Sequence, residues 1–327
     1  WQSHLVEELD DGRSLIYIDR IMLHERTGSI ALQSLHEAGR QVRSPQRAFC
    51  TMDHIVDTFA GRNDNTLMPS GGDFIRATRE ETARAGIELY DMGDPLQGIV
   101  HVISPEQGIV QPGLSLVCPD SHTCTQGALG ALAWGVGSSD VEHALVTQTL
   151  RVKKPRSMLV RFEGDLPRGV TAKDMILHLI QVHGTSGGTG YAVEFGGNTV
   201  TALDIEARMT LCNMAVEFSA FTGLIAPDEK VFEYLKGRRY APSQDNWDTA
   251  LSYWQNLGSD ADAEYDWEIV INADEIEPTV TWGTSPQHAI AISAAVPTPQ
   301  DEQMEKALAY QALTAGKQAT DIQIDAA

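Results

Sequence analysis

The chain has 327 residues, 42% of them hydrophobic and 21% charged, which is the composition of packed protein and excludes a disordered tail. Its length points to two domains rather than one core. Asp plus Glu number 45 against 24 Lys plus Arg, and a net charge of −21 leaves neither nucleic acid nor an anionic membrane as an expected partner.

The opening residues Trp1-Gln2-Ser3-His4 have neither the basic start nor the apolar stretch of a signal peptide. No initiator Met stands there, so translation is expected to begin upstream. Residues 15–18 read as a strand, 29–38 as a helix and 48–52 as a second strand. Residues 73–89 have helical spacing. The apolar run 98–103, stopped by Pro105, predicts a buried strand, as does 114–118. A helix is expected over 139–150, with Ser139 and Glu142 as a capping box, and another over 171–182, opened by Thr171 and Asp174. Residues 158–162 form a strand between them. Trp247, Tyr253 and Trp254 share a helical face and are expected to pack into a core. A last helix spans 301–315 with Gly316 as its C-cap, and Ile322 and Ile324 alternate like a strand running to 327. Strands alternating with helices predict an α/β sandwich. No run approaches the roughly 18 apolar residues of a membrane span. Four cysteines, at 50, 118, 124 and 212, are too scattered for a disulfide framework, so a reducing compartment, the cytoplasm or an organelle, is expected.

The densest polar cluster is Cys118-Pro119-Asp120-Ser121-His122-Thr123-Cys124-Thr125. It follows an apolar strand and precedes Gly127, Gly130, Gly135 and Gly137, then a helix start. A strand end, a polar loop and a helix N-terminus is where α/β proteins bind anions; a capped polar turn is the plain alternative. Asp53-His54 ends another strand, and His101 lies within the run 98–103. A carboxylate beside an imidazole fixes its tautomer and raises its basicity, the arrangement of a general acid or base. Ser-His-Asp acyl transfer is a rival without a G-x-S-x-G elbow. Zinc is another, but no H-E-x-x-H occurs, since His24-Glu25 lacks a second His at helical spacing.

These residues carry a resemblance. Asp120-Ser121-His122-Thr123, the Gly-rich stretch 127–137 and Val141-Glu142-His143-Ala144-Leu145 resemble the aconitase superfamily. Within it, the chain is similar to the large subunits of 3-isopropylmalate dehydratase, or isopropylmalate isomerase. Ordered matches run along the chain: His24-Glu25-x-Thr27, Met52-Asp53-His54, Gln97-Gly98-Ile99-Val100-His101, Cys212-Asn213-Met214 and Trp282-Gly283-Thr284. The resemblance implies aconitase-type three-layer α/β/α domains with central mixed or parallel sheets, divided here as 1–135 and 136–327. It implies a hydro-lyase that dehydrates and rehydrates a hydroxy-acid with a [4Fe–4S] cluster as Lewis acid. By resemblance, Asp53 with His54, His101 with Asp120, and His122 with Glu217 are three acid/base pairs. His24 and Ser121 would contact substrate, and Asn213 would lie beside the cluster. The expected partner is a small, swivelling subunit carrying a catalytic serine and substrate-binding arginines; the expected substrate is a small dicarboxylate.

The departures matter as much. The family's three cluster cysteines, one in Ser-Cys-Thr-Asn and two in C-x-x-C, are not present, so the cluster is expected in the complete enzyme and no metal in this chain. The family's Ser-Cys-Thr-Asn would begin just after Ile324, which makes a fragment or a split subunit the expectation and an inactive isolated chain its consequence. Pro119, Cys124 and Ile55 replace the usual Gly, Ser and Asn. Arg26-Thr27-Gly28-Ser29 leaves room for a sister substrate such as citraconate, maleate or another 2-alkylmalate. A mononuclear-metal hydrolase and a non-catalytic RNA-binding relative are the readings from other classes.

Overall fold

A computed structural model describes residues 1–324 as part of two compact units. The first takes residues 1–155 and 226–261; the second takes 156–225 and the chain from 262 onward. The division expected at 135/136 falls inside the first unit.

The first unit contains strands β1 (Leu5–Glu8), β2 (Ser14–Tyr17), β3 (Arg20–His24), β4 (Ala48–Thr51), β5 (Glu88–Tyr90), β6 (Ser115–Cys118), β7 (Leu132–Gly135) and β8 (Thr149–Val152). Its helices are α1 (Gly28–Glu37), α2 (Gly71–Ala85), α3 (Val100–Glu106) and α4 (Ser138–Thr147). Strands β5-β4-β3-β6-β7 form one sheet, parallel throughout. Ile21, Met22 and Leu23 of β3, and all of β4 and β6, are buried. A parallel sheet covered on both faces demands such unbroken apolar strands. The antiparallel strands β1, β2 and β8 make a small second sheet. Helix pair Glu229–Leu235 and Gln244–Trp254 belongs to the returning segment. There Trp247 and Trp254 are buried edge to face, 5.5 Å apart, while Tyr253 is half exposed, so two of the three stripe aromatics are core.

The second unit contains β9 (Arg156–Glu163), α5 (Ala172–His183), β10 (Tyr191–Gly196), α6 (Asn198–Ala202), α7 (Ile205–Asn213), β11 (Thr222–Leu224) and β12 (Trp267–Asn272). Strands β11-β10-β9-β12 are parallel. In β9, Met158, Val160 and Phe162 alternate inward. Strands β13 (Thr279–Thr281) and β14 (Ala289–Ala291) pair antiparallel. The Thr171/Asp174 capping box opens α5 as the spacing predicts. Both units are α/β with parallel main sheets. Among the described residues no helix is long and apolar enough to cross a membrane.

Four expectations need correction. The run 98–103 is not a strand: Val100–Glu106 is helical, since a short buried apolar run suits either state. Pro105 lies inside that helix and cannot donate to the His101 carbonyl one turn back, which instead accepts from Gln126 Nε2 at 3.3 Å. Ser139 and Glu142 form no capping box, because α4 starts one residue earlier and Glu142 is drawn away to Ser34 Oγ at 2.8 Å and Arg40 at 3.1 Å. The closing helix is Glu302–Tyr310, shorter than 301–315, with Asp301 as its N-cap. Residues 322–324 form no strand, and the rest of that expected element lies outside the described residues.

Candidate active site

The sheet order sets the site. The chain builds outward from β3 to β4 and β5 on one side, then from β6 to β7 on the other, so the order reverses between β3 and β6. Open parallel sheets bind ligands at such a reversal, beyond the strands' carboxyl ends. His24 ends β3, Asp53 and His54 follow β4, and Asp120, Ser121 and His122 follow β6. Three neighbouring strands thus deliver six of the expected residues to one edge, and α3 adds His101.

The contacts join these residues into one chain. His54 Nδ1 lies 2.6 Å from Asp53 Oδ1, and its Nε2 lies 2.9 Å from Asp120 Oδ2. His101 Nε2 lies 2.7 Å from Asp120 Oδ1. The other Asp53 oxygen accepts from the Val100 amide at 2.7 Å, and Asp120 Oδ1 accepts from the His122 amide at 2.8 Å. Asp120 is therefore the N-cap of a 3-10 helix, Ser121–Leu129, which replaces the expected Gly-rich loop. Two expected pairs, Asp53–His54 and His101–Asp120, are in hydrogen-bond contact, and His54 also bridges them.

With a carboxylate on each ring nitrogen, His54 is held as an imidazolium. The hydrogen bonds to Asp120 and then Asp53 raise its pKa from 6.5 to about 10 against the opposing effect of burial. Burial would raise the Asp120 pKa, but the bonds from His101 and His54 outweigh it and hold Asp120 below the usual carboxylate range. His24 stacks on His54 with ring centres 3.6 Å apart. Burial, and then the His54 charge, lower its pKa, so it is neutral. Its Nε2 lies 3.1 Å from the Pro119 carbonyl, which can only accept, so the proton sits there. His24 Nδ1 is then a buried acceptor with no hydrogen-bond partner among the described residues, and the buried His101 Nδ1 also has none. Ser121 and His122 form the outer rim, with Ser121 Oγ 3.2 Å from His122 Nδ1. Glu217 and Asn213 belong to the second unit, Asn213 as the last residue of α7.

Glu25 was not anticipated as a site residue. It is fully buried, and its carboxylate accepts from the amides of Asp53 at 3.0 Å, His54 at 2.7 Å, Ile55 and Val56. It holds in place the backbone turn that aims His54. The sequence signal was an acid directly after the apolar strand that ends in His24. His24, Glu25, Asp53 and His54 converge closely enough to invite a metal ion. The Glu25 oxygens are already committed to four amides and both His54 nitrogens to carboxylates, so the donor set is spent on hydrogen bonds.

An α/β unit whose imidazoles and carboxylates share protons at a sheet reversal is built for acid/base chemistry on a small ligand. The chain belongs to the aconitase family (aconitate hydratase), which it matches over residues 1–327. It is accordingly a hydro-lyase or isomerase of that family, whose members normally bind a [4Fe–4S] cluster. The cysteines here do not fit that group. All four are buried thiols outside any disulfide, and no three of them converge among the described residues. Burial pushes the Cys50 and Cys118 thiols well above their ordinary range, away from the thiolate a cluster requires.

Proposed function

We propose that this chain is the large subunit of an isopropylmalate isomerase, interconverting 2-isopropylmalate and 3-isopropylmalate by dehydration and rehydration. The observation that carries the reading is the continuous network Asp53–His54–Asp120–His101 at the sheet reversal. A hydroxyl leaves only with a proton, and an imidazolium with a partly open ring supplies one. The His54 side chain keeps 28% of its surface exposed, whereas His101 is buried behind it. His54 is the proton donor in this reading. Its Nε2 proton passes to the substrate hydroxyl as that hydroxyl displaces Asp120 Oδ2, while Asp120 Oδ1 keeps its bond from His101. A substrate carboxylate meets the His54 cation, which His24 backs through its stacked ring. Ser121 and His122 complete the substrate wall in this unit. The α-proton is removed by a group on a small, swivelling partner subunit.

The test is hydration of 2-isopropylmaleate by the chain with that subunit, followed by loss of the alkene's ultraviolet absorbance. Asp120→Asn is expected to lower kcat by about 100-fold or more. Full activity in that variant would sink the proposal. Citraconate and maleate are run beside it. An alkyl pocket discriminates by about 10- to 200-fold, so preference for either smaller acid would assign the chain to a sister hydro-lyase.

A further inference from the structure

At the other end of the same sheet lies a second cavity, of about 480 Å³, that shares no residue with the catalytic network. It sits where α1 and α2 end and where Pro45 leads into β4. That volume is within the about 300–1,000 Å³ of small-molecule sites. Leu32, Leu35 and Val42 supply apolar wall. Glu81 is set into it with a side chain only 8% exposed.

The Glu81 carboxylate is poorly met. Its contacts are His36 Nδ1 at 3.5 Å and Arg84 Nε at 3.7 Å, and neither is a hydrogen bond. These two long ion pairs leave acceptor positions on the carboxylate for a donor in the cavity. An ammonium carries three donors and matches the carboxylate in charge and hydrogen bonding. Two cations stand at the rim. Arg84 is half exposed and lies against the His36 ring, Nη1 to Nδ1 at 2.6 Å. Arg40 is more exposed and engages Glu142 at 3.1 Å. Guanidinium groups favour carboxylates. A buried anion, rim cations and an aliphatic wall together describe one ligand chemistry.

We infer that this cavity binds an aliphatic α-amino acid as its zwitterion. The ammonium lies on Glu81, the carboxylate on Arg84 with Arg40 in reach, and the side chain on Leu32, Leu35 and Val42.

The test is isothermal titration of the full chain with L-leucine, with 3-methylbutylamine, which lacks the carboxylate, and with 4-methylpentanoate, which lacks the amine. Saturable binding of L-leucine with a Kd of about 1 mM or tighter is expected, with both analogues at least about tenfold weaker. Glu81→Gln and Arg84→Gln are each expected to weaken L-leucine about tenfold. Arg84 is exposed, so its variant remains decisive if Glu81→Gln fails to fold, which circular dichroism reports. No saturable heat from L-leucine up to about 20 mM would overturn the inference. So would equal binding of either analogue, or L-leucine binding that Arg84→Gln leaves unchanged.

Discussion

His54 is the residue where electrostatics and function meet. Its folded pKa, about 10, lies above its ordinary value of 6.5, so its stabilising effect is complete below about pH 6.5 and fades as pH rises through 10. Denaturant titrations of wild type and His54→Gln should show their largest stability difference near pH 6, shrinking toward pH 10. A difference independent of pH would show that the Asp53 and Asp120 bonds do not hold the imidazolium. The same contacts act on the acid side through Asp120, whose lowered pKa makes its contribution present at neutral pH and lost as pH falls. Glu25 works differently, through backbone amides rather than charge on substrate. Glu25→Ala strands up to four amides at the strand end and is expected to cost about 3 kcal/mol or more. Calorimetry would measure it; a loss below about 1 kcal/mol would mean the turn holds itself.

Elements place these side chains, and tight backbone approaches fix the elements. Gly135 ends β7 against the turn at Asp120: an added Cβ would collide with the Asp120 carbonyl and stand 3.1 Å from Ser121 Cα. Gly135→Ala should therefore push the Asp120 turn away from His54 and His101, lowering activity while costing about 1–3 kcal/mol of stability. Wild-type kcat in this variant would contradict that account. This scale also marks the limit of what sequence reveals. Asp53, His54, Asp120 and Ser121 stood out because each follows an apolar run, whereas His24 entered only through the family resemblance. His101 was legible as a site residue but not as a helical one, because Gln97–Val102 offers no period to separate strand from helix. Glu25 stayed hidden because its partners are amides, which no side-chain pattern encodes.

The whole molecule carries 45 acidic against 24 basic side chains, an excess of 45 − 24 = 21 carboxylates without a cation of their own. Their mutual repulsion opposes compaction, and salt screens it. Melting temperature is expected to rise as sodium chloride goes from about 10 to 150 mM, across which the screening length falls from about 30 to 8 Å. A fall would mean that ion pairs such as Arg79 with Asp64 and Asp91 outweigh the repulsion. At this scale the sequence was least informative. Alternating strands and helices foretold α/β layers, but nothing in them showed that β8 turns back to pair with β2, or that residues 226–261 rejoin the first unit.

That rejoining has a consequence for biogenesis. Pro227 packs on Gly130, and Tyr240 exchanges backbone and side-chain bonds with Gln107 and Gln111. None of these contacts exists on a nascent chain until about 70 further residues have been made. The unit is complete only at residue 261, so at about 5–20 residues per second the ribosome leaves it unfinished for roughly 5 to 21 seconds. During that interval Gly108, Gly113 and Gly130, which later meet the returning segment, lack that cover.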